Sequence, residues 1–365
     1  MEIISRKAPR FNSLWEQFLQ RNSDVSPFYS LAWMEYQVAY SEDRLKEDLS
    51  FVVLAAEGSV AAICPLYLEQ YAETKRLSYR GEYLESLRAP LIANDVSPKS
   101  RDKLRQELFD EIDRIAQFTG AAKCNFIVDP LCGDSQREGY NYLTRYGYLD
   151  ASLTTVLIDL NKNAGELWKD LRASYKALIN KSERIYKTFS LDANSITREK
   201  FDAYVEVHHK AAGRITRPQL TFDIQYAMLV NNQACLIGVE INGTWAGFAY
   251  FLHSKHSAYY GSGAEDPELV TETPLGPVMQ WAAIKYYADT GLRYIELDNQ
   301  YFGPQLFESP SAKDMNISFF KRGFGGSLTP LYRGIKYYDK DVMATELDLL
   351  KSTLVTSYFP ERTTQ

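Results

Sequence analysis

The chain of 365 residues is long for one domain at ~150 residues each, and its 45% apolar and 24% charged residues supply core enough for two globular units. A net charge of −6 excludes avid, non-specific binding to nucleic acid, DNA included, and leaves only a local basic patch as a way to touch an RNA end. Cys64, Cys124, Cys132 and Cys235 fit neither a zinc spacing nor a C-x-x-C redox motif, so no metal and no tightly bound cofactor is expected, and the expected location is cytoplasmic.

In chain order, the opening MEIISRKAPRF lacks the apolar run of a signal peptide. NSLWEQFLQ and LAWMEYQVAY carry helical patterns. The longest apolar region, FVVLAAEGSVAAICPLYL, is interrupted by Glu57 and Gly58, which predicts a hairpin rather than a membrane span. A helix (KSRDKLRQELFDEIDRIAQF), a strand (AKCNFIVD), a short helix and another strand follow. From 151 the order returns: helices near 165–187, 197–212 and 222–231, then the hairpin ACLIGVEINGTWAGFAYFL with its Asn242-Gly243 turn. After it come a strand (SAYYGSG), a helix (GPVMQWAAIKYYADT), a strand (LRYIELD), a helix (AKDMNISFFKR) and a strand (SLTPLY). The predicted class is α/β (α+β), with one unit occurring twice, at 1–150 and 151–340, around mixed, largely antiparallel sheets. Residues 341–365 are expected as a tail or helix.

Several places carry candidate chemistry. Read as one helix, ELWKDLRASYKALINKSERIYK places Lys169, Arg172, Lys176, Arg184 and Lys187 within about 120° of one face, with Asn180 inside that arc. These cations suit a phosphate-bearing ligand or a solvated surface. NISFFKRGFGGSLTP is not a P-loop, because its Lys precedes the glycines; Lys321 and Arg322 close a helix that ends at Gly323. Asp298 follows an apolar strand, as a turn carboxylate or as a group that holds an ammonium and accepts its proton. His208 and His209 are adjacent on a helix and form no i, i+4 metal pair. No G-x-S-x-G motif occurs, which favours direct attack over a covalent acyl-enzyme.

In their order and spacing, SPFYSLAWMEY, LWKDLRASYKALINKS, AYYGSGA, LGPVMQWAAIKYYADTGLRYIELD and FFKRGFGG together resemble the FemAB-like branch of the GNAT acyltransferase superfamily. The resemblance spans most of the chain. It implies two tandem GNAT-like domains, the second catalytic, and a transferase that moves an aminoacyl or acyl group to an amine on a cell-envelope precursor of peptidoglycan or surface polysaccharide. The acceptor would be nucleotide- or lipid-linked, with the protein peripheral at the membrane in the latter case. The co-substrate would be aminoacyl-tRNA, bound by its acceptor end, or acyl-CoA.

The resemblance also assigns residues. The acyl group would enter where SAYYGSG and YIELD splay apart, near Tyr260 and Asp298. Arg172 and Tyr175 resemble a pair that approaches the acceptor's diphosphate, and Lys176 and Asn180 share their helix. Phe320 and Lys321 resemble a late Phe-Lys pair whose Lys lies beside the reacting ester. Where CoA-dependent members hold diphosphate with Q/R-x-x-G-x-G/A, this chain has EDPELVTETPLGPVMQ. Pro274 and Pro277 remove N–H donors there, and Glu265, Asp266, Glu268 and Glu272 repel a diphosphate. Two alternatives stand beside this reading: a CoA-dependent N-acyltransferase of an amino sugar, and a non-catalytic module that binds a glycan or a partner.

Overall fold

Asn242 (φ +52°) and Gly243 (φ +82°) both take the left-handed conformation that a two-residue hairpin turn requires, so the second hairpin closes where its sequence placed it. The structure is a computed structural model that describes residues 2–22, 25–80, 85–133, 138–269 and 273–359. The short helix expected after AKCNFIVD, Glu272 and the end of the tail fall wholly or largely outside the described residues.

The second half is built on one sheet in the order Lys187–Leu191, Ala234–Ile241, Thr244–His253, Ser257–Glu265, Tyr294–Gln300, Leu153–Asp159, Ser327–Leu331. Every neighbouring pair is antiparallel except Ser257–Glu265 with Tyr294–Gln300. Helix Gly276–Asp289 packs on one face of this sheet, and helices Arg198–Ala212 and Gln219–Val230 on the other. The chain is thus a mixed α/β fold.

In the first half the corresponding strands divide between two sheets. Phe51–Leu54 and Val60–Cys64 pair with Glu2–Ser5 and Leu91–Ile92, whereas Tyr67–Tyr71 pairs with Leu45–Asp48 and Thr74–Leu77. The break falls at Pro65, which has no N–H to give to a ladder. A further strand, Arg333–Tyr337, follows SLTPLY inside the stretch assigned to the unit ending at 340. It instead inserts between Ala121–Ile127 and Leu149–Asp150 of the first half. Buried Arg333 fixes it there, donating from Nε to Ala151 O at 3.1 Å and meeting Glu308 at 2.6 Å. Helix Lys340–Tyr358 follows, and its Glu346 pairs with Lys123 (2.7 Å) and Arg76 (3.1 Å). The halves are therefore interlocked rather than consecutive along the chain.

Helix Arg198–Ala212 carries both helix histidines against Phe222, and His208 Nδ1 has no hydrogen-bond partner among the described residues. Burial, with Arg217 and His209 nearby, lowers the His208 pKa to about 4. The folded state thus binds fewer protons than the unfolded chain between pH 6.5 and about 4. This contribution is whole above pH 6.5 and is lost as pH falls towards about 4. Allowing for a partly solvated ring, it is on the order of 1–2 kcal/mol. His208→Gln should flatten the fall of Tm between pH 7 and pH 5 in thermal melts, and an unchanged profile would exclude His208 as its source.

Candidate functional site

The parallel pair at the centre of the second sheet touches only at its start, through Ser257, Ala258 and Tyr259 opposite Tyr294, Ile295 and Glu296. Beyond Tyr259 and Glu296 the two strands splay. A bulge follows at once on the first strand, where Tyr250 faces Ser262 but Phe251 faces Tyr260, leaving Gly261 over. Tyr260 folds back across Gly263, so closely that a Cβ there would sit 2.4 Å from its hydroxyl. Burial and the nearby Glu265 carboxylate push the Tyr260 pKa up to about 12, so it stays a neutral phenol.

The second strand does not end at Asp298 but runs to Gln300 through its own irregularity, opposite Thr155 and Leu157. There Asp298 adopts φ +65°. A non-glycine residue in this conformation costs about 1–3 kcal/mol, which surrounding bonds must hold. They do: its carbonyl accepts from Thr155 Oγ1 (3.0 Å) and Gln300 Nε2 (2.9 Å), and its Oδ1 from Asn299 N (2.7 Å). Oδ2 is left to Lys321, whose Nζ donates to it at 2.6 Å.

Lys321 is the last residue of helix Ala312–Lys321, which starts from a Ser311/Asp314 capping box. Its side chain turns inward to 6% exposure instead of lying over the helix end. Asp298 and Lys321, chosen separately from the sequence, are thus one ion pair. Arg322 points elsewhere and donates to Tyr301 O at 3.1 Å.

The long basic helix does not form as expected. Helix Ala164–Asp170 stops, Leu171 and Arg172 are extended (ψ 142° and 138°), helix Ala173–Ser182 follows, and Lys187 begins a strand. The break coincides with a long-range capture: Arg172 N donates to Gly323 O at 2.9 Å. The single cationic face is therefore split. Arg172 and Tyr175 bind the end of the late helix, donating to Phe319 O (2.9 Å) and Phe320 O (3.2 Å). Lys176 donates to Lys169 O at 2.9 Å, and Asn180 is exposed. Tyr175, Phe320, Tyr260, Leu178, Glu265 and Gly276 line a cleft of about 390 Å³. Of the expected ligand contacts, Tyr175, Tyr260 and Phe320 line this cleft; Arg172, Lys176 and Asn180 do not.

At the mouth of that cleft begins helix Gly276–Asp289, whose free N–H groups make it an anion site in principle. Glu265 already occupies it, accepting from Gly276 N at 2.8 Å and Leu275 N at 3.3 Å. A diphosphate arriving there would meet a carboxylate instead of open donors.

Arg217 carried no signal in the sequence. It reaches across the seam between the halves, donating to Tyr36 Oη (2.9 Å), Tyr204 Oη (3.3 Å) and Gln225 Oε1 (2.7 Å). Its Nε is buried without a hydrogen-bond partner among the described residues, and none of the three acceptors is a carboxylate. Tyr204 in turn meets Ser262 at 3.1 Å, on the strand that bears Tyr260. A cleft of about 430 Å³ opens at Arg217, lined by Tyr40, Glu42, Asp43 and Arg80 on one side and Thr216 and Pro218 on the other, with Asp43 paired to Arg80 at 2.9 Å. A mostly buried guanidinium bonded only to uncharged groups is costly, and among the described residues Arg217 and Arg80 are the two cations of this cleft, facing its two carboxylates, Glu42 and Asp43.

No family model matches the chain, and no curated protein matches it. Solved structures do. A crystal structure of FemX aligns over 94% of this chain and 99% of its own, with TM-score 0.68 at 13% identity. The C-terminal domain of a putative lysylphosphatidylglycerol synthetase from Agrobacterium fabrum covers 94% and 96%, with TM-score 0.58 at 12% identity. A tandem GNAT protein from the clavulanic acid biosynthesis pathway covers 92% and 98%, with TM-score 0.50 at 14% identity. The chain has a FemAB-like tandem GNAT fold.

Proposed function

We propose that this protein is an N-acyltransferase that moves an aminoacyl group from aminoacyl-tRNA to an amine on a nucleotide- or lipid-linked cell-envelope precursor. The observation that carries the reading is the ion pair of buried Lys321 with half-exposed Asp298 at the splay of the central strands. In this scheme the amine nitrogen attacks the ester carbonyl carbon. Lys321 faces the oxygen that gains charge, a contribution of about 3–4 kcal/mol for one well-placed donor. Asp298 takes the proton that the amine loses as the C–N bond forms. As the C–O bond breaks, that proton goes to the departing ribose oxygen, so charge and atoms balance.

Two features support the choice of donor and acceptor. Glu265 caps the helix N-terminus that a CoA diphosphate would need. Arg217, whose Nη groups donate only to uncharged acceptors beside a seam cleft that Arg80 also lines, suits the phosphate of the acceptor. Arg217→Met should raise the acceptor KM by about 10- to 100-fold, matching 1–3 kcal/mol for a charge-assisted contact, with kcat changed little. An unchanged KM would place the acceptor elsewhere.

The deciding experiment is mass spectrometry of nucleotide-linked and lipid-linked precursor pools incubated with the protein and either charged tRNA or acyl-CoA. Product that depends on tRNA is expected. Product with acyl-CoA alone would instead establish the CoA-dependent reading, and no product from any donor would leave a binding module.

A further inference from the structure

The loop and helix that deliver Lys321 also present apolar side chains outward. Phe302 and Leu306 lie on the loop after strand Tyr294–Gln300, and Phe319 lies two residues before Lys321; they are 52%, 63% and 57% exposed. The loop is held in shape: Gln305 and Glu308 bridge across the Leu306 tip, Glu308 binds Arg333, and Tyr301 N donates to Ser318 Oγ at 3.0 Å. Its exposed apolar tip is therefore a fixed feature of the surface.

Two guanidinium groups sit among these side chains. Arg322 lies over the Phe302 ring at 4.4 Å and Arg172 over the Phe319 ring at 3.8 Å. Each donates to a backbone carbonyl, and neither meets a carboxylate among the described residues. They are near enough to each other that Arg172, after burial, disfavours the charge on Arg322. On a chain of net charge −6, two like charges placed together without an acid are a local demand for anions.

We propose that this face, Phe302, Leu306 and Phe319 with Arg172 and Arg322, seats on an anionic bilayer surface and so presents the Lys321 site to a lipid-linked acceptor. The proposal rests on the reading of the site given above and commits it to the lipid-linked class. The side chains divide as an interface requires: rings and Leu306 enter the headgroup–acyl boundary, while the guanidiniums meet lipid phosphates. RNA would use ring faces for stacking, of which a guanidinium already covers one on each Phe, whereas Leu306, the most exposed of the three, has no π face and suits only an apolar medium. No helix among the described residues is long and apolar enough to cross a membrane, so this contact is peripheral.

Flotation with vesicles tests it. The wild-type protein should rise with phosphatidylcholine–phosphatidylglycerol vesicles, stay behind with phosphatidylcholine alone, and be released by salt. Phe302→Ser with Leu306→Ser should cut the bound fraction about tenfold, and Arg322→Gln about threefold with a shallower salt dependence. Failure of the wild type to float with anionic vesicles, or a double variant that floats equally well, would overturn the proposal. So would retention of tRNA on filters that Arg322→Gln abolishes while vesicles are ignored. Leu306→Ser should turn over a short-chain, water-soluble analogue of the lipid-linked acceptor at the wild-type rate. Vesicle binding without any turnover would therefore count against the enzyme reading alone, and turnover without vesicle binding against the membrane surface alone.

Discussion

Lys321→Met is expected to lower turnover by about 100-fold or more, the factor that matches loss of one oxyanion donor worth roughly 3–4 kcal/mol. Met keeps most of the stem, so packing against the late helix survives while the charge goes. Asp298, its partner, has a side chain 37% exposed and can be solvated alone, so Tm should fall only by a few degrees. The converse change distinguishes chemistry from architecture. Asp298→Asn leaves an ammonium that is 6% exposed without its counter-ion, and stranding a buried charge costs more than stranding an accessible one. The Asn variant should therefore melt below the Met variant. Near-normal turnover of Lys321→Met with charged tRNA and the acceptor would reduce Lys321 to the structural partner of Asp298.

That pair also shows what a sequence can and cannot reveal. Both residues stood out alone: a carboxylate after an apolar strand and a cation closing a helix. Their union depends on the φ of +65° at Asp298, and that conformation is fixed by Thr155, a residue 143 positions away. Turns were legible because Asn-Gly encodes its own dihedral angles. The alternation of helices with hairpins gave the class, since periodicity is local. Non-local events were not legible. The basic helix keeps its 3.6-residue pattern straight through Leu171 and Arg172, and breaks where the distant Gly323 carbonyl takes the Arg172 amide. Nothing near Arg333 indicates that its strand will join partners from residues 121–127 and 149–150. Arg217 gains its meaning from Tyr36, 181 positions earlier.

Gly323→Ala is the second change expected to have a large effect, and it acts through packing. A Cβ at this position would lie 2.1 Å from Cε2 and 2.7 Å from Cζ of Tyr175, far inside contact distance. The ring is confined: it packs against Phe324 at 5.0 Å and Phe320 at 5.8 Å, and its hydroxyl donates to Phe320 O. Either the ring or the turn must shift, and overpacking of this kind costs about 1–3 kcal/mol. At roughly 2–4 °C per kcal/mol, Tm should fall by about 5 °C. Turnover should fall as well, by about tenfold, because the displaced turn begins two residues after Lys321 and a shift near 1 Å in a reacting group is costly. The partner substitution separates this cause from others. Tyr175→Ala alone loses a buried ring and is also destabilising, but in combination with Gly323→Ala the clash has vanished. The double variant should therefore lose less stability than the sum of the two single losses, a coupling on the order of 1 kcal/mol in a double-mutant cycle. Additive losses would mean that Gly323 is required for something other than the approach of the Tyr175 ring, and the close contact would then not be what positions Lys321.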